Sequence, residues 1–320
     1  MKTTFAAILM IAGLAFANPS HAGPIKITAK PIHLNDTTPE VRQIGGLRYR
    51  GGLALSSGAP GFGGLSALGV SADGRRLIAL TDKGRRFAAD IIYDEAGNLA
   101  GLYQPALDTL AGLDGRALKS KSESDAESMS PGVSGEIIVG FERRHRLWRY
   151  LPGQVVPEPL PPPDELAALP ANSGLEGLAL LNDGRLFALS EGSDNNSTAL
   201  AWVSHENGWS VMTYATTGGF RPTGAATLPD GDVLVLERRF TLRSGVAARV
   251  RRVKADTIEP GAHLQPSDVA ELRPPMNVDN FEGIAVRSSA DGRVWVYIVS
   301  DDNFNPLQRT LLMMFEMEKH

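Results

Sequence analysis

Short apolar runs separated by turn residues cover most of the chain, and they predict antiparallel hairpins. The pattern is clearest in residues 173–191, where two apolar runs flank an Asn-Asp-Gly turn at 182–184. These residue types tolerate the positive φ that a tight hairpin turn requires. Glu176 lies near the start of this unit and Glu191 ends it. Because antiparallel strands return to the edge from which they started, we expect these two carboxylates to lie close together.

The same unit recurs along the chain. Each copy has a short apolar run, a turn containing Gly, a second apolar run and a terminal Asp or Glu. The copies lie at 64–82, 125–142, 173–191, 223–237 and 281–301. The repeat distance is about 50 residues, and a unit of several strands with that length is typical of a β-propeller blade. The long stretches of helical periodicity that a helical solenoid requires are missing from the sequence.

These repeats predict an all-β chain that folds as a single β-propeller. The five hairpins supply five internal blades. The strand-like segments 47–55 and 311–317 predict a further blade built from both ends of the chain, since propellers commonly close their ring with terminal strands. We therefore expect six blades, in preference to five or seven. The propeller would occupy residues 44–320, after an extended lead-in at 23–43.

Residues 1–22 have the features of a signal peptide. Lys2 is followed by an apolar run at 5–16 and by a small-x-small cleavage site at 20–22. The apolar run is too short to span a bilayer comfortably, so a cleaved leader is favoured over an uncleaved anchor. The mature protein is expected in the periplasm or outside the cell, without a membrane partner.

Composition narrows the possible chemistry. The 320-residue chain has no Cys, which excludes disulfides and thiolate metal sites. Its formal net charge of −4 argues against nucleic acid as a partner. The histidines show no HxH or HxxxH spacing, so a zinc site is not expected. Any metal would therefore be bound by oxygen ligands.

Acidic residues recur at both ends of the hairpins, where a propeller would bring them to one mouth of its central channel. The hairpin starts carry Ser66, Glu127, Glu176, Thr223 and Glu282, and the hairpin ends carry Asp82, Glu142, Glu191, Glu237 and Asp301. Carboxylates packed together raise one another's pKa or bind a cation, and oxygen ligands favour Ca²⁺. The expected metal ligands are Glu127, Glu176, Glu282 and Asp301, and the three glutamates are also the expected catalytic residues.

Basic residues follow several of these acids directly. The expected substrate-binding residues are Arg85, Arg86, Arg143, Arg221 and Arg238. Guanidinium groups suit planar and tetrahedral oxyanions, so an anionic small molecule is the expected substrate. The alternative interpretation is structural, because an acid followed by an arginine can also form an ion pair that joins neighbouring blades.

A side-chain nucleophile is not indicated. Ser66, Ser128 and Ser130 are accompanied by neither a GxSxG elbow nor an SxxK motif. Water would then be the nucleophile, activated by the bound cation.

The residues that carry the repeat also resemble a known family, the phytase-like domain described as having esterase-like activity of phytase. The resemblance rests on GGLS at 63–66, DAES at 125–128, GLEG at 174–177, RPTG at 221–224 and NFEGI at 280–284. It extends over residues 44–317 and implies an exported, hydrolytic β-propeller. The family's acidic pattern corresponds here to Glu127, Glu176, Glu191, Glu237, Glu282 and Asp301. Ser66 and Thr223 stand where the other repeats carry Glu.

The leading hypothesis is an exported, monomeric, metal-assisted hydrolase of phosphoesters or related esters. One alternative is a non-catalytic propeller that binds an anionic ligand or a protein partner, in which every acid would be locked in an ion pair. Another is a calcium-dependent lactonase, which needs the same cation beside an apolar pocket. The charge partners of the channel acids distinguish the first hypothesis from the second.

Overall fold

The computed structural model describes residues 23–192, 197–243 and 245–318. The expected signal peptide at 1–22 lies outside the described residues. Within the described part of the chain, no helix is long and apolar enough to cross a membrane. Almost all regular structure is β-strand. The helical segments are α1 (Lys121–Ser124) and the 3₁₀ turns Asp164–Ala168 and Ala255–Thr257.

The N-terminal segment forms four strands that attach to the edges of two different sheets. They are β1 (Gly23–Pro24), β2 (Thr28–Ile32), β3 (Gln43–Ile44) and β4 (Leu47–Ser56). Strand β1 pairs with the first sheet, whereas β2 and β3 pair with β4 in the last sheet.

The first two sheets are antiparallel meanders that correspond to the first two predicted hairpins. Blade 1 contains β5 (Leu65–Val70), β6 (Arg76–Thr81), β7 (Arg85–Tyr93) and β8 (Leu99–Thr109). Blade 2 contains β9 (Ala126–Pro131), β10 (Ile137–Phe141), β11 (Arg146–Tyr150) and β12 (Glu158–Leu160).

The next two sheets repeat this arrangement. Blade 3 contains β13 (Leu175–Leu180), β14 (Leu186–Ser190), β15 (Thr198–His205) and β16 (Gly208–Ala215). Blade 4 contains β17 (Arg221–Thr227), β18 (Val233–Thr241) and β19 (Gly245–Val253). The segment that follows supplies β20 (His263–Leu264) to the outer edge of blade 3 and β21 (Ser267–Leu272) to that of blade 4.

Blade 5 joins the two ends of the described chain in one sheet. It contains β22 (Asn280–Ser288), β23 (Val294–Asp301) and β24 (Thr310–Met317). Strand β24 pairs with β4, so the terminal strands extend the fifth sheet. The expectation of six blades is therefore wrong, because the segments that were expected to form a separate blade complete the sheet that begins with the fifth hairpin. The protein is an all-β, five-bladed propeller.

Among the described residues, the hydrophobic core is divided into five clusters, and each cluster lies between two adjacent blades. One of them packs Phe87 of blade 1 against Tyr297 of blade 5, and the innermost strands β5 and β22 are also in contact. Because each sheet packs against a neighbour on both faces, the inner strands are continuous runs of apolar residues and do not alternate between apolar and polar residues. This packing fixes the innermost strands around a common axis.

Candidate active site at the propeller axis

The innermost strand of every blade carries a β-bulge at the same repeat position. The strand pairing skips one residue there, and the skipped residues are Ser66, Glu127, Glu176, Thr223 and Glu282. A bulge leaves its extra residue outside the ladder and redirects its side chain. The five equivalent positions that the sequence repeat identified therefore share one backbone feature.

The bulged glutamates meet at the axis. Glu127, Glu176 and Glu282 line one narrow cavity of about 10 Å³ together with Ser66 and Gly224. That volume holds roughly one water molecule or one ion. The structure thus brings together three of the four expected metal ligands, each from a different blade.

Glycine next to the bulge allows the innermost strands to approach closely. A Cβ atom on Gly283 would lie 2.9 Å from backbone atoms of Ala67 and Leu68 in the neighbouring blade. A Cβ atom on Gly224 would lie 3.0 Å from the carbonyl oxygen of Glu282. Since real side chains do not tolerate the first distance without a shift, Gly283 sets the spacing of blades 5 and 1 at the axis.

The two bulges without an acid join neighbouring blades by hydrogen bonds. The Ser66 hydroxyl donates to the carbonyl oxygen of Ala126 in blade 2 at 2.6 Å. The Thr223 hydroxyl donates to the carbonyl oxygen of Phe281 in blade 5 at 3.0 Å. Both side chains are buried. These hydroxyls fix the strands that carry Glu127 and Glu282.

A second group of acids surrounds the axial glutamates. Carboxylate oxygens of Asp125, Glu127 and Glu142 lie within 4.8 Å of one another. Glu142 accepts a hydrogen bond from the backbone N–H of Gly174 at 2.7 Å. Asp301 accepts one from the backbone N–H of Asn303 at 2.5 Å. Asp125, Glu142 and Asp301 therefore belong to the same acidic centre as the axial glutamates.

The acidic centre resists full ionisation. Burial raises the pKa of both Glu127 and Glu176 well above the usual value for glutamate, and neighbouring carboxylates add to the effect. Burial also raises the pKa of Glu282 and that of Asp301 to about 7, although the positive charge of Arg238 acts in the opposite direction at both. Without a bound cation, these groups retain protons at a pH where exposed carboxyls have lost them.

Three of the expected arginines lie against the acidic centre. Arg238 Nε lies 2.8 Å from Oε1 of Glu282, and Arg238 Nη2 lies 3.6 Å from Oε1 of Glu191. Arg221 Nη1 lies 3.2 Å from the same oxygen of Glu191. Arg143 Nε donates to Oδ2 of Asp125 at 2.6 Å.

The other two expected arginines lie elsewhere. Arg86 donates two hydrogen bonds to Asp108 on the neighbouring strand of blade 1, so its guanidinium is already held by a carboxylate. Arg85 lines a separate cavity beside Lys83 and Lys119. The expectation that all five arginines converge on one substrate therefore does not hold for Arg85 and Arg86, because Arg86 is paired with Asp108 and Arg85 lines a separate cavity.

Glu237 is part of a structural network and does not reach the axis. It is fully buried, accepts a hydrogen bond from the Tyr214 hydroxyl at 2.8 Å, and pairs with the guanidinium of Arg249. Its hairpin thus ends in an acid that joins blades 3 and 4.

Two residues of the site were not singled out in the sequence. Asp125 is almost fully buried, and Lys121 Nζ lies 2.5 Å from its Oδ1 and 2.8 Å from Oδ2 of Asp82. The sequence feature that could have identified Asp125 is its position, since it is a polar residue two positions before the bulged Glu127. Asn280 has the same offset and donates a 2.8 Å hydrogen bond to Glu282.

The residues present fit a hard cation. All candidate donors are oxygens, which suits Ca²⁺. Among the residues that the structure describes, neither Glu127 nor Glu176 has an ion-pair partner, and the buried Oδ1 of Asp82 has no hydrogen-bond donor. Buried carboxylates without a positive partner need a proton or a metal ion. The centre is a buried acidic cluster that can bind a metal.

Fold and site together define a five-bladed β-propeller with an acidic centre on its axis. A family model described as "Phytase-like: esterase-like activity of phytase" matches residues 60–304. The chain therefore belongs to the phytase-like family.

The chain is also similar to solved structures with low sequence identity. It is 12% identical to a protein of unknown function from Dyadobacter fermentans, with 95% of this chain and 97% of that chain covered and a TM-score of 0.43. It is 15% identical to the PQQ-bound aldose sugar dehydrogenase from Streptomyces coelicolor, with 91% and 99% covered and a TM-score of 0.40. It is 11% identical to virginiamycin B lyase from Staphylococcus aureus, with 92% and 100% covered and a TM-score of 0.40.

Similarity at this level does not assign an activity to the chain. No curated protein matches the sequence significantly.

Proposed function

We propose that the protein is an exported hydrolase of phosphoesters or related esters, and that its acidic centre binds Ca²⁺. The observation that carries this proposal is the charge pattern of the axis. Glu127 and Glu176 have raised pKa values and, in the described residues, no ion-pair partner, whereas arginines stand beside the neighbouring acids. A purely structural ion-pair ring would have paired every acid.

Glu282 pairs with Arg238 and is therefore kept for proton transfer, and Asp301 is close enough for its charge to raise the pKa of Glu282. The cation would be held beside it by Glu127 and Glu176, which have no such partner among the described residues. When bound, it would polarise a phosphoryl or carbonyl oxygen and favour the hydroxide form of a nearby water. Binding would also release the protons that these carboxyls retain.

The arginines at the mouth would orient the substrate anion. Arg221 and Arg238 both contact Glu191. An incoming oxyanion would therefore compete with this carboxylate for the hydrogen bonds of the two guanidinium groups. Arg143 lies beside Asp125, and a large part of its side chain is exposed. The guanidinium groups of these residues donate hydrogen bonds and accept none, which favours a substrate that carries an anionic group.

Proton transfer is assigned to Glu282. A water oxygen would form the new bond to phosphorus or to the acyl carbon, and the Glu282 carboxylate would take its proton. The bond to the leaving oxygen would then break, and that oxygen would take the proton back from the Glu282 carboxyl. A pKa of about 7 suits both directions of transfer.

The test uses panels of aryl phosphates, aryl acetates and lactones, assayed with added Ca²⁺ and with a chelator. We expect turnover on a phosphate or acetate that the chelator abolishes and Ca²⁺ restores. Glu176→Gln should lower kcat/KM by at least about 100-fold, whereas the matched variant of an exposed acid, Glu95→Gln, should leave it unchanged. Turnover of lactones alone would identify the lactonase, and absence of turnover on all panels would contradict the hydrolase.

A further inference from the structure

A second cavity lies beside the acidic centre, at the edge of blade 1. Its volume is about 610 Å³, and it lies between the loop before β5 and the segment that leads into α1. Its lining includes Lys83, Arg85, Lys119 and Lys121. We call this cavity the basic pocket. Its size falls in the range of small-molecule sites.

The positive charges of the basic pocket are largely unmatched. In the part of the chain that the structure describes, Lys83, Arg85 and Lys119 form no ion pair with a carboxylate. The Lys83 ammonium lies 2.9 Å from the centre of the Phe304 ring. The Arg85 side chain lies against Gly61, and the nearby carboxylate of Asp108 is already held by Arg86.

The cluster is a local excess of positive charge in a chain with a formal net charge of −4. The unpaired like charges of Lys83, Arg85 and Lys119 repel one another, and a bound anion would relieve this repulsion. The groups that line the cavity are donors of hydrogen bonds to oxyanions, and the hydroxyls of Thr109 and Ser124 add two more.

Lys121 connects the basic pocket to the acidic centre. It lines the cavity, and its ammonium bridges Asp82 and Asp125. Asp125 is in turn within 4.8 Å of Glu127 and Glu142, measured between carboxylate oxygens. An anion in the pocket and a cation in the acidic centre would therefore lie on either side of one lysine and attract each other.

We propose that the basic pocket is a binding site for a compact tetrahedral oxyanion, separate from the hydrolytic centre, and that anion and cation binding reinforce each other through Lys121. The anion offsets the mutual repulsion of the pocket cations, and a cation bound by the axial glutamates adds positive charge beside Asp125, which weakens the hold of Asp125 on Lys121. Lys121 is then free to turn towards the anion. Coupling of this kind is reciprocal, so each ligand tightens the binding of the other by the same factor. The first part of the proposal is independent of the proposed function, and the second part rests on the cation site.

The test is calorimetric titration of the full chain with sulfate, with and without Ca²⁺. Sulfate is a tetrahedral oxyanion that is neither a substrate nor a product of phosphoester hydrolysis, so its binding is measured without turnover. We expect saturable binding that Ca²⁺ tightens at least about threefold, and that weakens at least about tenfold in Arg85→Gln/Lys119→Gln. The matched control, Lys30→Gln/Arg75→Gln, removes two exposed charges elsewhere and should bind sulfate as the wild type does.

Further variants keep the test decisive. If Arg85→Gln/Lys119→Gln does not fold, Lys83→Gln/Lys119→Gln replaces two exposed lysines and should weaken binding in the same direction. Lys121→Met should abolish the effect of Ca²⁺ on the affinity for sulfate. Absence of saturable binding, or equal binding in the pocket and control variants, overturns the site. Sulfate binding that Ca²⁺ leaves unchanged overturns the coupling.

Inorganic phosphate and a non-hydrolysed aryl phosphonate distinguish the source of the anion. Equal binding of phosphate and sulfate in the pocket indicates a site for free anions. Preference for the phosphonate that is lost in Arg85→Gln/Lys119→Gln indicates that the pocket takes an anionic group of the substrate. Loss of hydrolytic activity with sulfate binding intact would affect only the proposed function.

Discussion

Arg238 and Glu282 form an ion pair across two blades, with Nε 2.8 Å from Oε1. Arg238 lies on β18 of blade 4, and Glu282 is the bulged residue of β22 in blade 5. The same guanidinium reaches Glu191 at the end of the blade 3 hairpin. One arginine thus holds acids from both neighbouring blades and sets the charge of the axial glutamate to which we assign proton transfer.

Removal of this arginine should change the pH dependence of activity. The positive charge of Arg238 lowers the pKa of Glu282, so Arg238→Gln should move the acidic limb of the kcat/KM profile to higher pH by about one unit. Below pH 7 the rate should fall roughly 10-fold or more, since the base is then largely protonated. Arg116→Gln, which changes an exposed arginine, should leave the profile in place. An acidic limb that does not move in Arg238→Gln would exclude Glu282 as the group that titrates.

The cation-free protein should lose stability as the pH rises. The folded-state pKa values of Glu282 and Asp301, about 7, lie above the ordinary values of 4.5 and 3.8, so the folded state binds more protons than the unfolded state between those limits. The contribution of these two groups to stability is therefore full below about pH 4 and is lost as the pH rises to about 7. Urea titrations in chelator should show the free energy of unfolding fall by roughly 2–5 kcal/mol from pH 5 to pH 8. Saturating Ca²⁺ should reduce this loss. If the free energy of unfolding without Ca²⁺ does not change with pH, ionisation of these acids does not destabilise the folded protein.

The hydroxyls at the two non-acidic bulges should matter for stability and not for chemistry. Ser66→Ala and Thr223→Val each leave a buried carbonyl oxygen without its donor, which costs about 1–3 kcal/mol in the free energy of unfolding. Ser57→Ala, which removes a more exposed hydroxyl bond to Lys26, should cost less. Chemical denaturation measures the loss. If Ser66→Ala instead lowers kcat and leaves the free energy of unfolding unchanged, the Ser66 hydroxyl takes part in catalysis.

The close approach of blades 5 and 1 should make Gly283 intolerant of a side chain. Gly283→Ala places a Cβ atom 2.9 Å from the backbone of β5, so the strands must separate. We expect a loss of roughly 1–3 kcal/mol and weaker Ca²⁺ binding, because Glu282 moves with its strand. Gly58→Ala is the matched control, since nothing lies within 4 Å of that Cβ position. Equal stability of the two variants would contradict this account of the axis.

The repeat made the fold and the axial glutamates predictable from the sequence. Glu127, Glu176 and Glu282 occupy the same place in successive hairpins, and a propeller has only one axis at which equivalent positions can meet. The bulge that points them inward was not predictable, because it depends on the pairing of each strand with its neighbour. The blade number failed for a related reason: pairing of β24 with β4 decides whether the chain ends form a new sheet or extend the last one.

The arginines show where sequence adjacency misleads. Arg85 and Arg86 follow the first hairpin as Arg238 follows the fourth, yet only Arg238 reaches the axial acids. Alternation along a strand sends neighbouring side chains to opposite faces, so the direction of each arginine depends on its strand register. Glu237 differs from Glu191 in the same way, because its side chain turns into the interface with Tyr214.

Calorimetric titration with Ca²⁺ tests most directly whether the axial acids form a cation site. We predict saturable binding of about one ion per chain, with release of protons that is larger at pH 6 than at pH 8. The affinity should fall at least about tenfold in Glu176→Gln and stay unchanged in Glu95→Gln. If wild type and Glu176→Gln bind Ca²⁺ equally, or if neither binds it, the axial glutamates are not a metal centre.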